Sequence, residues 1–408
     1  LINIRQETGM TTVASHRSNL IQIVTTGLAA LLLGGCPNPN GAGYDDVPTL
    51  AILGGGDHTT DSLSITTMVE RADGLDVPTD LEFNPTADNQ LWITNRGDNT
   101  VLVVLDVDSD NPEPDLRTSF GADHFLVKPS ALAFSDNGNF ATIHEEDDFT
   151  QGPPPMGTPA DFMGPTLWSS HLGDAGQHPD GHAPYDGGHG SHLDMLHNSP
   201  NGMGIAWEED NVFWVFDGAH SSITRYDFHD DHGPGGSDHS DGEIARYVEG
   251  EVDRDSDVPS HMVLDHDTGL LYIADTGNSR IAVLDTNEGS KGANVSPNYD
   301  MCELYEMDDG ELETLVDGED VNLRKPSGIA LHDDVLYVSD NRSSVIFGFS
   351  LEGELIDWVD LERPREDGAD YGGLMGLEFD DDGNLWAVDA QEEEVIKISV
   401  VDTSDDDE

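Results

Sequence analysis

Basic residues are scarce in this chain of 408 residues. It has 17 Lys and Arg against 82 Asp and Glu, a formal net charge of −65. Proteins bind nucleic acids and anionic membrane surfaces by neutralising phosphates with Lys and Arg, so this charge argues against both partners. Cysteine is nearly absent, and two cysteines cannot form a disulfide framework. The HExxH and GxSxG motifs are also absent, which removes two common hydrolase signatures.

The apolar run at residues 20–33 (LIQIVTTGLAALLL) is too short for a transmembrane helix. It is about 14 residues long, whereas a helix needs roughly 20 apolar residues to span a bilayer. The run follows Arg17 and leads into Leu33-Gly34-Gly35-Cys36, small residues before a cysteine that resemble a bacterial lipobox. An ordinary signal peptide with an incidental cysteine is the alternative.

The lipobox resemblance implies cleavage before Cys36, lipidation of its sulfur and a place in the cell envelope. We therefore expect a signal peptide over 1–35 (10–35 if Met10 is the start) and a lipid-anchored linker over 36–61. Contact with a membrane is then through the anchor only. Pro37 after the cysteine resembles sorting to the outer membrane, with the protein facing the periplasm or the cell surface.

A repeat organises the rest of the chain. Six apolar segments end in an acidic, amide or His residue, and a turn rich in Pro, Ser or Gly and a further apolar run precede each one. Short runs of Val, Ile, Phe, Tyr and Trp between Gly, Asp and Asn turns predict strands. The six segments are 90–95 (QLWITN), 140–144 (FATIH), 212–217 (VFWVFD), 271–275 (LYIAD), 336–340 (LYVSD) and 385–389 (LWAVD).

One unit carries a resemblance to a known family. Residues 271–285 (LYIADTGNSRIAVLD) closely resemble an NHL repeat, and the other units resemble degenerate copies. The resemblance implies an all-β fold, a six-bladed NHL-type β-propeller over 62–401, followed by an acidic tail at 402–408. The last unit lacks a fourth strand, whereas residues 62–69 (SLSITTMV) form a strand without a blade. We predict that this N-terminal strand completes the last blade and closes the ring.

The histidines are concentrated in and after a polar insertion at 150–199. Imidazole together with carboxylate suits transition metals such as Zn or Cu, but no strong ligand spacing is present. A solvated polar insertion without a metal is the alternative. Ten of the 17 histidines fall between residues 171 and 239: His171, His178, His182, His189, His192, His197, His220, His229, His232 and His239.

Propeller topology brings the loop after each second strand and the start of each inner strand to one face. On that face we predict a metal set of four histidines and a ligand-binding set of charged residues, which converge at the channel mouth as in small-ligand sites. Each Asp of the second set can instead satisfy the N–H groups of its own turn. The metal set is His144, His197, His220 and His261; the ligand-binding set is Arg96, Asp217, Asp275, Arg280, Asp340 and Arg342.

Comparison with propeller enzymes limits the catalytic options. The NHL-type peptidyl-α-hydroxyglycine α-amidating lyases place Pro-His at the start of inner strands, and those histidines hold zinc. Here that position is Ser260, with His261 one residue later, so the lyase zinc set is missing. The gluconolactonase-like propellers use a calcium centre, for which no residue-by-residue match is found. A separate calcium loop at 106–111 (DVDSDN) is a further option, because its carboxylates alternate.

These observations favour an extracytoplasmic, lipid-anchored propeller that binds a small molecule or protein partner at the channel face, with a transition metal (Zn or Cu) or Ca as its cofactor. A metal-dependent hydrolase, lyase or oxidoreductase at the same face is the alternative, and a scaffold protein is the third option. No catalytic residue can be assigned from the sequence.

Overall fold

The computed structural model of the protein describes residues 49–119, 122–147, 162–172, 192–363 and 372–401. The predicted signal peptide, the lipidation site Cys36 and the acidic tail lie outside these residues, as do residues 36–48 of the linker and most of the His-rich insertion. Among the described residues, no helix is both long enough and apolar enough to cross a membrane.

Strands dominate the described part of the chain. They are joined by short turns, with two single-turn α-helices, α1 (Ala122–Phe125) and α2 (Gly318–Val321), and 3₁₀ turns at Ala51–Leu53 and Arg71–Asp73. The strands in chain order are β1 (Leu63–Glu70), β2 (Pro78–Phe83), β3 (Gln90–Asn95), β4 (Thr100–Leu105), β5 (Glu113–Arg117), β6 (Pro129–Phe134), β7 (Asn139–His144), β8 (Thr166–Ser169), β9 (Asp194–Met195), β10 (Gly202–Glu209), β11 (Val212–Asp217), β12 (Ser222–Asp227), β13 (Glu243–Tyr247), β14 (Met262–Asp265), β15 (Leu270–Asp275), β16 (Arg280–Asp285), β17 (Ser290–Asn294), β18 (Glu303–Asp308), β19 (Leu312–Asp317), β20 (Pro326–His332), β21 (Val335–Asp340), β22 (Val345–Ser350), β23 (Leu355–Asp360), β24 (Leu374–Phe379), β25 (Leu385–Asp389) and β26 (Glu394–Val400).

The strands form six sheets arranged as the blades of a propeller, which confirms the predicted fold class. Blades 1 and 2 are β2–β5 and β6–β9; blade 3 contains β10–β13; blade 4 is β14–β16 with β19; blade 5 is β20–β23; and blade 6 is β24–β26 with β1. The first strand of each blade lines the centre. The loops that precede these inner strands and follow the second strands form one face, here called the mouth face.

The second strand of each blade is a nearly continuous apolar run because neighbouring blades cover both sides of it. In β11 (VFWVFD) every residue is buried. A strand covered on both faces loses the apolar–polar alternation of a half-exposed strand. The buried apolar residues form six clusters, one between each pair of adjacent blades.

The N-terminal strand closes the ring, as predicted. β1 pairs antiparallel with β26, from Leu63 opposite Val400 to Glu70 opposite Glu394. Its two buried residues belong to different interfaces. Leu63 packs between blades 5 and 6, and Val69 packs between blades 6 and 1.

Two features of blades 2 to 4 were not expected. The end of the polar, His-rich insertion supplies β9, the outer strand of blade 2, and buries Leu193, Met195 and Leu196. In addition, the hairpin β17–β18, inserted between two strands of blade 4, pairs in parallel with β13 and extends blade 3 to six strands.

We predict that removing β1 prevents the ring from closing. A chain beginning at Thr49 should unfold cooperatively, whereas one that also lacks residues 49–70 leaves β26 without its partner and opens two blade interfaces. Thermal unfolding followed by circular dichroism should show a transition for the first chain and none, or one at much lower temperature, for the second. Equal midpoints would contradict ring closure by β1.

Candidate functional sites

An ion-pair network spans the mouth face. Glu145, which follows β7, accepts hydrogen bonds from Arg96 (2.9 Å) in blade 1 and from Arg254 (2.9 Å) before blade 4. Arg96 also pairs with Asp257 at 2.5 Å. Glu145 is 6% exposed, so removing it would leave two guanidinium groups without their shared carboxylate. The predicted ligand-binding residue Arg96 therefore holds blades together at the mouth.

The three predicted aspartates accept hydrogen bonds from residues of the mouth-face loops. Asp217 accepts from the backbone N–H groups of Ala219 and His220. Asp275 accepts from the N–H of Asp253 and from Arg280, another predicted ligand-binding residue. These contacts correspond to the turn-stabilising alternative.

Asp340 also accepts hydrogen bonds from backbone N–H groups, and it lies beside a cavity on the mouth face. Its carboxylate accepts from the N–H groups of Lys325 and Arg342. Arg342, the last residue of the predicted ligand-binding set, lines a mouth-face cavity of about 560 Å³ between blades 4 and 5, together with Arg324, Lys325 and Asp255. Lys325 pairs with Asp255 at 2.5 Å, which neutralises part of the charge there.

The four predicted metal histidines do not form one set. Both ring nitrogens of His144 are engaged, Nε2 with the Thr142 hydroxyl at 3.0 Å and Nδ1 with the Gly164 carbonyl at 3.2 Å. Burial lowers the pKa of His144 to about 3, so its ring is neutral. The Nδ1 of His220 lies 2.8 Å from Asp217. All four are in the described part of the chain, and of them only His261 lines the channel cavity.

A different group of histidines converges at the outer edges of blades 2 and 3. Among the described residues, only Asp194, His232 and His239 form a set whose candidate ligand atoms lie within 4.8 Å of one another. Asp194 is in β9, and the two histidines are in the loop between β12 and β13. His192 and His197 flank them, with ring centroids 5.1 Å from His232 and 6.2 Å from His239, respectively. We call these five residues the histidine cluster.

The histidine cluster is buried and rich in acceptor nitrogens. The side chain of His232 is 5% exposed, and its Nε2 has no hydrogen-bond partner and lies 3.9 Å from Asp194 Oδ1. Burial and the neighbouring imidazoles of His232 and His239 lower the pKa of His192 to about 2. Burial by itself would lower the pKa of His239. The hydrogen bond and the charge of Asp194, 2.7 Å away, outweigh this effect of burial, so the pKa of His239 is raised.

His197 joins this cluster through a hairpin from another blade. Its Nδ1 lies 2.7 Å from Asp300 Oδ1, and its backbone N–H donates to the other oxygen of the same carboxylate at 2.8 Å. Asp300 lies between β17 and β18. The Nε2 of His197 is buried without a hydrogen-bond partner. His197 was predicted as a metal ligand, whereas Asp194, His232 and His239 were not. Asp194 lies at the end of the 150–199 insertion, and the two histidines lie in the loop between β12 and β13.

The centre of the ring is acidic. Asp80 and Glu82 on β2 and Glu378 on β24 line the channel with His261, whose Nδ1 lies 3.1 Å from Asp80. Burial and the neighbouring Asp80 raise the pKa of Glu378 to about 8. Burial, Asp80 and Glu378 together raise the pKa of Glu82 well above its ordinary value. Burial and mutual repulsion therefore favour the protonated forms of Glu82 and Glu378 in the channel.

The predicted calcium loop at 106–111 has a cationic partner. It forms the turn between β4 and β5, and both carboxylate oxygens of Asp108 contact Lys397, at 2.8 and 2.7 Å. The lone Cys302 is buried, and burial raises the pKa of its thiol to about 12, so it carries no reactive thiolate at neutral pH.

No family model and no curated protein matches the sequence. Solved structures that resemble it include a protein of unknown function from Bacteroides thetaiotaomicron, with 12% identity and a TM-score of 0.51, covering 83% of this chain and 76% of that one. An auxiliary nutrient binding protein from the same organism has 11% identity, a TM-score of 0.51 and the same coverage. A second, from Bacteroides ovatus, has 14% identity and a TM-score of 0.49, covering 84% and 77%. Identities this low support the fold alone.

We predict that Glu145→Ala destabilises the ring by about 1.5–3 kcal/mol, because Arg254 loses the carboxylate it binds and Arg96 keeps only Asp257. The neighbouring Glu146 is a matched control. It pairs with Lys128 near solvent, so Glu146→Ala should cost less than about 1 kcal/mol. Urea unfolding measures both values, and similar losses for the two variants would refute this role of Glu145.

We also predict that Glu378 makes stability fall as pH rises. Its folded pKa of about 8 lies above the reference 4.5, so the folded chain holds a proton that the unfolded chain releases. This stability is full below the unfolded pKa and is lost as pH rises towards about 8, by up to about 1.4 kcal/mol per pH unit. Relative to the parent, Glu378→Gln should become progressively more stable over that window in urea unfolding. A constant difference would show that Glu378 does not titrate this way among Asp80, Glu82 and His261.

Proposed function

We propose that this protein is an extracytoplasmic metal-binding propeller that holds a divalent transition-metal ion, Zn²⁺ or Cu²⁺, in the histidine cluster. The observation that carries the proposal is the convergence of Asp194, His232 and His239, one ligand atom each, within 4.8 Å. This assignment keeps the histidine-bound metal expected from the sequence but moves it from the channel mouth to the outer edges of blades 2 and 3.

The donor chemistry fits such an ion. Two imidazoles and one carboxylate are borderline donors that suit Zn²⁺ and Cu²⁺, whereas Ca²⁺ and Mg²⁺ prefer sets made only of oxygen. The Nε2 of His232 is buried without a hydrogen-bond partner, a costly arrangement for a polar atom unless a ligand satisfies it. A bound cation would also offset the buried negative charge of Asp194.

Surrounding residues would orient the ligands. The His239–Asp194 hydrogen bond already fixes one imidazole against the carboxylate. The His192 carbonyl accepts from the N–H of Gly235, which ties the loop bearing His232 and His239 to blade 2. Contacts of this kind around a metal site hold its ligands in position and raise its affinity.

The number of ligands leaves a second candidate function open. A structural zinc site usually has four protein ligands, whereas a catalytic site has three and an open position. The Asp-His-His set supplies three, so a metal-dependent hydrolase or lyase is the alternative. If His192 completes the coordination, the site is closed and its role is structural.

The cellular setting follows from the sequence motifs. We propose that the chain is an NHL-type propeller anchored through Cys36 in the cell envelope, where its acidic surface favours solubility and repels polyanions. Metabolic labelling with a lipid precursor, compared between the parent and Cys36→Ala, tests the anchor directly.

Metal binding can be measured on purified protein. After chelation and dialysis, titration calorimetry with ZnCl₂ should find about one tight ion per chain, with elemental analysis as a check. The double variant His232→Ala/His239→Ala should weaken this binding at least tenfold. If the double variant binds zinc with the same stoichiometry and affinity as the parent, the histidine cluster is not the site.

The same loop offers a matched control. His229 is half exposed and faces Asp227, so His229→Ala should leave zinc affinity unchanged. His192→Ala then distinguishes the two roles of the site. A large loss of affinity indicates a closed four-ligand centre, whereas retained affinity indicates three protein ligands and an open position.

A further inference from the structure

The channel widens on the side opposite the mouth face into an apolar chamber. This chamber of about 360 Å³ is lined by Phe83, Phe134, Trp207, Met262 and Leu264. It shares Glu82 and Glu378 with an inner cavity of about 120 Å³ that continues to Asp80 and His261. Aromatic walls thus lead to a polar end built from carboxyl groups and one imidazole.

The polar end offers hydrogen-bond acceptors and no balancing cation. No Lys or Arg is among the described residues that line either cavity. Asp80 receives hydrogen bonds from the N–H groups of Leu81 and Leu132, and Glu82 receives one from Phe134. These bonds fix the carboxyl groups in position, and a bound cation would favour the ionised forms that burial disfavours.

A buried nitrogen of His261 is an independent observation that points to a ligand in this channel. The residue is 6% exposed, lines the inner cavity, and its Nε2 has no hydrogen-bond partner. Its Nδ1 lies 3.1 Å from Asp80 Oδ1, so in the neutral ring Nδ1–H donates to that carboxylate. In that neutral form the Nε2 lone pair is a buried acceptor that a donor group of a ligand can satisfy.

The geometry points to an organic ammonium ion with an apolar or aromatic tail as the ligand of this channel. Its N–H groups would donate to Glu378, Glu82 and the Nε2 of His261, and its tail would pack against Trp207 and Phe83. Aromatic faces also attract cations directly. The chamber lies within the size range of small-ligand sites.

A bare metal ion fits this channel less well. Metal ligands must approach one another closely, and among the described residues only Asp194, His232 and His239 do so within 4.8 Å. A small inorganic cation would also leave the aromatic wall unused. The channel site and the histidine cluster share no residue, so this inference is independent of the proposed metal binding.

The probe is 2-phenylethylammonium, compared with the neutral 2-phenylethanol of similar shape. Titration calorimetry at pH 7.5 on the metal-free full chain should give saturable binding of the amine at least tenfold tighter than that of the alcohol. Binding should also change the fluorescence of Trp207, and Trp207→Phe should remove that change. Equal affinity for amine and alcohol would overturn the proposal, because binding would then need no charge.

The carboxylates can be tested one at a time. Glu378→Gln and Glu82→Gln should each weaken amine binding at least tenfold, whereas Glu209→Gln, an exposed residue at the end of β10, should not. Circular dichroism checks that each variant is folded. Unchanged amine affinity in both folded channel variants would refute the ammonium site. The site would also be refuted if CaCl₂ displaced the amine and the amine bound no more tightly than the alcohol.

Discussion

Burial between neighbouring blades is the interaction on which this molecule depends. Each of the six apolar clusters is shared by two adjacent sheets, so no blade has a complete core of its own. A twisted sheet in this position must have a partner on both sides. The chain meets that demand by returning β1 to blade 6, which joins the first and last parts of the fold with main-chain hydrogen bonds.

The ring determines where chemistry can be placed. Inner strands put Asp80, Glu82, His261 and Glu378 around the axis, whereas long insertions have room only at the periphery, where Asp194, His232 and His239 meet. The mouth face is largely occupied by ion pairs and by aspartates that cap their own turns. The histidine cluster therefore lies away from the mouth face, where the sequence predicted a site, and in the described part of the chain the channel site reaches that face only at His261.

The sequence was sufficient for the architecture because the repeat is local. A strand such as 271–275 and the turn after it are specified by adjacent residues, and six such units predict both the ring and its closure. The sites depend on contacts between distant segments. The approach of His239 to Asp194 follows from how two insertions fold against each other, and the pairing of His197 with Asp300 requires a hairpin that leaves blade 4 for blade 3. The repeat pattern of the sequence does not predict these two contacts.

That displaced hairpin links the histidine cluster to the order of assembly. The parallel pairing of β13 with β18 brings Asp300 to His197, so the surroundings of the cluster draw on segments from three successive blades. Contacts between segments so far apart in the chain must wait until loop closure has brought those blades together. An intact histidine cluster is therefore a marker that this half of the ring has finished folding.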